Sequence, residues 1–162
     1  MSDPFTGLLN RRGLASAAAD VLREDEAIIL FDLDHFKRIN DRHGHAVGDE
    51  VIRSFADTLR AHGRQGDPKA RLGGEEFAMV MSGVSLQEAR GIAERILVAF
   101  AGVSIATSDA EPLCCTASAG IAFGQAEGIP IDHVMARADS ALYSAKRAGR
   151  NRVETVELRL VG

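Results

Sequence analysis

The sequence predicts an α+β or α/β sandwich, in which helices cover a mixed central sheet. Segments with apolar residues at helical spacing alternate with short apolar runs along the 162 residues. One pair of strands is separated only by a turn with two adjacent glycines, which predicts an antiparallel hairpin. Helices separate the other strands, so the sheet is predicted to contain both parallel and antiparallel neighbours.

The first half of the chain is predicted to form two helices and one buried strand. Residues 10–24, after the turn-forming pair Asp3-Pro4, carry apolar side chains at helical spacing. Residues 27–31 are a continuous apolar run, typical of a strand buried on both faces. Residues 49–61 again place their apolar side chains on one side of a helix.

The second half is predicted to form the hairpin, two more helices and two more strands. The ranges are 71–72 and 77–81 for the hairpin, 86–100 and 131–148 for the helices, and 114–123 for one strand. Val153, Val156 and Leu158 predict the last strand, and Gly149 is the expected C-terminal cap of the preceding helix.

The composition excludes several classes of protein. Apolar residues make up 46% and there are only 4 prolines, which excludes a disordered or collagen-like chain. The length suits one domain over residues 1–162. The net charge of −4 argues against a nucleic-acid partner, and no apolar segment is long enough to predict a membrane span.

Cys114 and Cys115 are the two cysteines of the chain. Adjacent cysteines rarely form a good disulfide, so we expect reduced thiols in a strand. The N-terminus lacks the apolar core of a signal peptide. The sequence therefore predicts a cytoplasmic protein, and it is compatible with an N-terminal sensor domain in a longer chain.

Two acids, Asp32 and Asp34, follow the buried run 27–31. Burying an unpaired carboxylate is costly, and Mg²⁺ would compensate by joining the carboxylates to substrate phosphates. The alternative is that both acids only form the turn after the strand.

A second group of acids lies in the predicted hairpin turn, Gly73-Gly74-Glu75-Glu76-Phe77. The glycines would permit a positive φ and a close approach of the backbone to a ligand. Two adjacent acids repel each other unless a cation offsets them. The alternative is an ordinary charged β-turn.

Basic residues surround the end of the last long helix: Lys146, Arg147, Arg150 and Arg152. Lys146 and Arg150 are four positions apart and would share a helix face if the helix continues that far. They would clamp a triphosphate or merely interact with the helix dipole. Acids, a glycine turn and cations together are the parts of metal-dependent phosphoryl transfer, although the common nucleotide motifs G-x-x-x-x-G-K-[ST] and G-x-G-x-x-G are missing.

The five residues Gly73-Gly74-Glu75-Glu76-Phe77 resemble the signature of the diguanylate cyclase family, the GGDEF domains. Residues 3–12 are similar to the family's N-terminal D-x-L-T-G-L-x-N-R-R, with Phe5 in place of the usual leucine. Further matching segments follow in the family's order, at residues 31–37, 40–41, 44–45, 48–49, 138–143, 145–146 and 149–151. The resemblance implies the palm-like nucleotidyl cyclase fold and the condensation of two GTP into cyclic di-GMP.

The resemblance also implies a metal site. Asp32 and Glu75 would be the side-chain ligands of Mg²⁺, with Mn²⁺ as an alternative metal, and the Leu33 carbonyl would assist. Glu75 would also help to deprotonate the attacking 3′-hydroxyl. Glu76 would reach a second metal or only support the hairpin, and the resemblance leaves the role of Asp34 open.

The nucleotide contacts are implied in the same way. Asn40 and Asp49 would bind the guanine edge, and Gly73 and Gly74 would let the backbone approach the α-phosphate and ribose. The β- and γ-phosphates would be held by amides near His35, Phe36 and Lys37, together with the side chains of Lys146 and Arg150. Because each domain holds one GTP, catalysis would require a transient homodimer.

Residues 64–67 fit the R-x-x-D pattern of a product-binding inhibitory site that many family members carry. Arg64 and Asp67 would bind cyclic di-GMP, and Arg95 would add a second arginine. Without the resemblance this pattern would indicate only a solvated turn. Two other functions stay open: an inactive cyclic di-GMP receptor, and a dimerisation domain that binds GTP without turnover.

Overall fold

The computed structural model describes residues 1–156. The helices are α1 (Arg11–Ala17), α2 (Phe36–His43), α3 (His45–His62), α4 (Leu86–Ala101) and α5 (Ile131–Arg147). The strands are β1 (Val21–Leu22), β2 (Glu26–Leu33), β3 (Lys69–Arg71), β4 (Glu76–Ser82), β5 (Ala117–Phe123), β6 (Ile129–Pro130) and β7 (Val153–Thr155).

The main sheet has five strands in the order β3-β4-β2-β5-β7. β2 lies at its centre and pairs antiparallel with both β4 and β5, whereas β7 pairs parallel with β5. The predicted mixed sheet and hairpin are therefore confirmed. A separate two-stranded sheet joins β1 to β6.

Alternation along β2 creates a core on each face of the sheet. Ala27, Ile29 and Phe31 pack with the residues of α3 and α4, and Ile28 and Leu30 pack with those of α1 and α5. On the α3 face, the ring of Phe55 lies 5.4 Å from Phe31, 4.8 Å from Phe77 and 5.0 Å from Phe100 between ring centroids. This cluster fixes the helices against the strands that end at the candidate site.

The predicted helix over residues 10–24 was wrong beyond Ala17. Ala19 and Asp20 have φ angles of 53° and 63°, which end the helix. Val21 and Leu22 then pair with β6 instead of continuing it. Pairing with a distant strand thus overrides the local helical spacing.

Helix α2 was not predicted, because only Phe36 and Ile39 of its eight residues are buried and no apolar stripe marks it. α3 begins at His45, four residues earlier than predicted, and β5 begins at Ala117 rather than at residue 114.

At the C-terminal end, Val153 opens β7 as predicted, and Val156 follows its last residue, Thr155. Leu158 lies outside the described residues. No helix within residues 1–156 has the length and apolar character needed to span a bilayer.

Candidate functional site

The candidate site lies where the C-terminal end of β2 meets the β3–β4 turn. β2 continues to Leu33, so Asp32 belongs to the strand instead of following it, and it pairs in register with Glu76 of β4. The backbone N–H of Leu33 donates to the carbonyl oxygen of Glu75 over 3.2 Å. Sheet pairing thus brings Asp32, Glu75 and Glu76 together from two distant segments.

Asp32 is buried, with 6% of its surface exposed. Its Oδ2 accepts a hydrogen bond from Lys146 Nζ at 2.7 Å, whereas its Oδ1 is buried with no hydrogen-bond partner among the described residues. Burial raises the pKa of Asp32 to about 6; Lys146 opposes this rise, and the nearby charges of Glu75 and Glu76 add to it. A carboxylate in this environment would be stabilised by an additional cation.

The carboxylates of the candidate site fit a divalent cation that takes its remaining ligands from a bound substrate and from water. No group of three or more His, Cys, Asp or Glu residues suited to a metal occurs within residues 1–156. Mg²⁺ commonly uses one or two carboxylates and takes its other ligands from substrate phosphates and water. The unpartnered Oδ1 of Asp32, beside Glu75, matches that smaller set.

The glycines of the turn do not use the positive φ that glycine permits, since neither Gly73 nor Gly74 has one. A Cβ at Gly74 would meet nothing within 4 Å, and one at Gly73 would meet only Glu76, at 3.7 Å. No steric constraint within the protein therefore requires glycine at either position. Their small size leaves open space above the turn for a ligand.

Arg71, which the sequence analysis missed, holds this turn. Its Nε donates to the carbonyl oxygen of Gly73 at 3.0 Å, and its Nη2 to that of Gly74 at 2.9 Å. The same guanidinium forms an ion pair with Asp3 at 3.4 Å. The N-terminal turn and the glycine turn are therefore linked by one side chain. A single basic residue two positions before the Gly-Gly pair was the available sequence signal.

Asn40 and Asp49, the predicted guanine contacts, lie on neighbouring helices. Asn40 Oδ1 is buried without a hydrogen-bond partner in the described part of the chain. Gly48 makes room for it, because a Cβ at that position would overlap the Asn40 amide. Asp49 is exposed on the first turns of α3. Asn40 thus presents an oxygen that no other residue within 1–156 engages in a hydrogen bond.

His35, Phe36 and Lys37 form the N-terminus of α2. His35 is the N-cap, with a φ of 57°, and it makes no side-chain capping bond. The first amides of a helix lack partners within it and attract anions. The structure therefore brings this predicted phosphate-binding segment to a helix end directly after β2.

The two predicted phosphate cations, Lys146 and Arg150, do not share a helix face. α5 ends at Arg147, and Gly149, Arg150 and Asn151 then have φ angles of 125°, 65° and 48°. Lys146 reaches Asp32, while Arg150 is exposed in the turn that follows the helix.

Asp34, considered with Asp32 as a metal candidate, is not available to a metal in this structure. Its carboxylate accepts hydrogen bonds from Thr116, Ser118 and Asn151. Asp34 therefore does not share the role of candidate metal ligand with Asp32.

The predicted second site is also brought together. Arg64 Nε and Nη2 donate to the Asp67 carboxylate at 2.8 and 3.1 Å, and Nη2 donates to the Ser82 carbonyl oxygen at 2.7 Å. Arg95 Nε donates to the carbonyl oxygen of His62 at 3.1 Å, only two residues before Arg64. The three residues therefore surround the end of α3.

Residues 1–152 match the family model described as "Diguanylate cyclase, GGDEF domain". Diguanylate cyclase DgcP of Pseudomonas aeruginosa is 44% identical over 162 residues, covering 95% of this chain and 24% of that protein. The response regulator PleD of Caulobacter vibrioides is 37% identical over 160 residues, covering 94% of this chain and 35% of that protein. The chain thus spans well under half of these two relatives.

Among solved structures, the GGDEF domain of DgcB from Caulobacter crescentus in complex with c-di-GMP superposes with a TM-score of 0.84. It is 34% identical, and the match covers 95% of this chain and 92% of that chain. The active GGEEF domain of a diguanylate cyclase from Vibrio cholerae gives a TM-score of 0.75 at 31% identity, covering 88% and 87%. The fold, the motif and these relatives lead to one conclusion: the chain belongs to the diguanylate cyclase GGDEF domain family.

Proposed function

We propose that this domain is a diguanylate cyclase, which condenses two GTP into cyclic di-GMP and releases two pyrophosphates. The observation that carries the proposal is the buried Asp32, whose Oδ1 has no hydrogen-bond partner among residues 1–156, directly beside the open Gly73-Gly74 turn and Glu75. The diguanylate cyclases among the relatives support the same activity.

The metal in this proposal is Mg²⁺, which Mn²⁺ can replace. Asp32, Glu75 and the Leu33 carbonyl would hold it, and Glu76 is the candidate ligand for a second ion. When bound, it neutralises phosphate charge and polarises the α-phosphorus. The unpartnered Asp32 Oδ1 supports this ligand set.

The chain's own residues bind and orient GTP. Asn40 and Asp49 hydrogen-bond the guanine edge, and the amides that open α2 at His35, Phe36 and Lys37 hold the β- and γ-phosphates. Lys146, released from Asp32, moves its charge to the phosphates, and Arg150 adds a second cation. Gly73 and Gly74 admit the α-phosphate and ribose.

In the reaction, the 3′-oxygen of one GTP forms a bond to the α-phosphorus of the other. The bond from that phosphorus to the bridging oxygen of the β-phosphate breaks, and pyrophosphate leaves in line. Glu75 accepts the proton of the 3′-hydroxyl. The same exchange in the opposite direction closes the ring, so two domains with one GTP each must face each other. The proposed partner is thus a second copy of this chain, as a transient homodimer whose pairing a sensor domain would control.

Arg64, Asp67 and Arg95 are proposed to bind the product and inhibit the enzyme. A guanidinium offers paired donors and a flat face for guanine and phosphate. Their clustering at the end of α3 supports this role. The alternative function, an inactive receptor, would use these residues and leave Asp32 and Glu75 without a role.

The free Cys114 and Cys115 suit the reducing cytoplasm, where the proposal places the domain.

The proposal is tested by measuring cyclic di-GMP formation from GTP and Mg²⁺ at several protein concentrations. We expect the rate to rise more than linearly with protein concentration and to vanish in Glu75→Ala. In Arg64→Ala, product should accumulate for longer than in the wild type before its formation slows. If the wild-type protein binds cyclic di-GMP but forms none at any concentration, the domain is a receptor and the cyclase proposal is wrong.

A further inference from the structure

Three residues other than glycine have positive φ angles beside the candidate site: His35 at 57°, Arg150 at 65° and Asn151 at 48°. Such angles are unfavourable for residues with a Cβ and persist only where surrounding contacts hold them. His35 opens the phosphate-binding helix α2, and Arg150 is a proposed phosphate cation. Both functional segments are therefore in strained backbone.

Asp34 contacts both strained segments. It immediately precedes His35, and it is almost fully buried, with 3% of its surface exposed. Its Oδ2 accepts from the backbone N–H of Asn151 at 3.1 Å and from Thr116 Oγ1 at 2.6 Å, and its Oδ1 accepts from Ser118 Oγ at 2.7 Å.

The hydrogen bonds of Asp34 join three segments that lie far apart in sequence. Its backbone N–H also donates to the Thr116 carbonyl oxygen at 2.9 Å, which fixes the residue to the start of β5. Ser118 Oγ accepts a second bond from the Asn151 N–H, at 3.2 Å. Within the described residues no Lys or Arg forms an ion pair with Asp34, so its buried charge is offset by these neutral donors alone.

The turn after α5 has a second anchor, in the helix itself. The N–H of Arg150 donates to the Ala145 carbonyl oxygen at 3.0 Å and that of Gly149 to the Lys146 carbonyl oxygen at 3.4 Å, as in a Schellman cap. The cap fixes Arg150 relative to α5, and the bond from the Asn151 N–H to Asp34 joins the turn directly to the end of β2, where the metal and phosphates would lie.

We infer that Asp34 is a positioning residue for the triphosphate, because its carboxylate holds the left-handed turn that carries Arg150 beside the strand end that leads into α2. The inference rests on the proposed function. Asp34 itself touches neither nucleotide nor metal; it acts through Arg150 and the start of α2.

The test compares two nucleotides in the presence of Mg²⁺. One is α,β-methylene GTP, whose α–β bridge cannot be cleaved, and the other is GMP, which lacks the β- and γ-phosphates. Asp34→Ala should weaken binding of the GTP analogue about tenfold, as expected when a charged contact is lost, and leave GMP affinity within about twofold. Asp34→Asn, which keeps an acceptor oxygen, should restore part of the affinity.

Two variants make the test specific. Thr116→Val removes a hydroxyl that contacts Asp34 but not the bond to Asn151, so it should leave both affinities nearly unchanged. Asp34→Ala combined with Arg150→Ala should bind the GTP analogue no more weakly than Arg150→Ala alone, since both changes remove the same contact.

An equal loss of affinity for both nucleotides, or full additivity with Arg150→Ala, would overturn the inference and leave Asp34 a purely structural residue. Hydrogen exchange of the Asn151 amide is independent of nucleotide and should accelerate in Asp34→Asn, which carries the test if Asp34→Ala fails to fold. If exchange is unchanged, the inference is wrong. If the wild-type domain binds neither nucleotide, the proposed function fails instead.

Discussion

Asp32 and Asp34 lie two positions apart at the end of β2, and both are buried, yet their surroundings differ. Asp34 is satisfied by donors from β5 and from the turn after α5. Asp32 has one oxygen on Lys146 and one without a partner in the described residues. Donors within the protein satisfy both oxygens of the Asp34 carboxylate, whereas Asp32 Oδ1 has no such donor in the described residues. An unsatisfied carboxylate oxygen, rather than burial or charge, distinguishes Asp32, the proposed metal ligand, from Asp34.

The largest effect is expected from Asp32→Asn, which keeps the shape and removes the charge. Cyclic di-GMP formation should fall by about 10³-fold or more, because several kcal/mol of metal stabilisation are lost. Product formation at saturating GTP and Mg²⁺ measures it. Asp57→Asn, an exposed acid paired with Arg60 on α3, is the control and should retain activity. Equal activities of the two variants would refute the distinction between Asp32 and the other acids.

Gly120 and Gly74 extend the comparison, because protein atoms surround the first and the second faces open space. Gly120→Ala should destabilise the domain by roughly 3 kcal/mol or more, because its Cβ would overlap the backbone of α5 at Ala138 and Leu142. Gly74→Ala should leave stability within about 0.5 kcal/mol, since its Cβ meets nothing.

Gly74→Ala should instead weaken binding of α,β-methylene GTP, about tenfold, by filling the space in which the nucleotide is proposed to bind. Urea unfolding and nucleotide titration of the same two proteins separate these effects. A Gly74→Ala protein with wild-type nucleotide affinity would show that the turn does not approach the ligand.

Arg71→Ala tests whether catalysis requires the Gly73-Gly74 turn to be fixed in position by Arg71. Loss of its bonds to the Gly73 and Gly74 carbonyls should lower turnover about 10- to 100-fold, because small misplacements of catalytic groups are costly. Arg53→Ala is the matched control: Arg53 also stacks on Phe5, at 4.4 Å compared with 5.4 Å for Arg71, but it has no bond to the turn. If both variants lose activity equally, the Phe5 contact matters rather than the turn.

The smallest effect is the pH dependence of stability that Asp32 contributes in metal-free protein. The pKa of Asp32 is about 6 in the folded state, above the ordinary value of 3.8. The folded state therefore binds the proton of this carboxyl more tightly than the unfolded state does. Its contribution to stability is therefore full below about pH 3.8 and declines as the pH rises through 6. At pH 7 the Asp32→Asn domain should be more stable than wild type by about 1–2 kcal/mol.

Urea unfolding with a chelator at pH 4.5 and pH 7 measures this difference, which should shrink at the lower pH. Saturating Mg²⁺ at pH 7 should stabilise the wild type and not the variant. A difference that is the same at both pH values would contradict the raised pKa of Asp32.

Much of the fold could be predicted from local pattern. The apolar run 27–31 is the interior of β2, and the glycine turn is flanked by the predicted hairpin strands. The failures have physical causes. α2 has only two buried residues, and the helix predicted after Ala17 gives way to strand pairing between Val21–Leu22 and Ile129–Pro130.

The candidate site was predictable as a set of residue types but not as an arrangement. Asp32, Glu75 and Lys146 were identified in the sequence by their chemistry and by the family resemblance. Arg71 was missed, because its two functional contacts are to backbone carbonyls, which leave no trace in the pattern of side chains. Arg150 would have shared a helix face with Lys146 if the helix had continued, but α5 ends at Arg147, before it.

The sequence by itself determined the strand that ends in two acids, the glycine turn with its own acids, and the family that combines them. Only the tertiary structure decided which acid is open, because the donors that satisfy Asp34 lie at Thr116, Ser118 and Asn151, more than 80 positions away. Local spacing carries no information about such distant partners. Sheet pairing and the end of α5 bring them together, and they leave Asp32 Oδ1 as the buried carboxylate oxygen that the rest of the described chain does not satisfy.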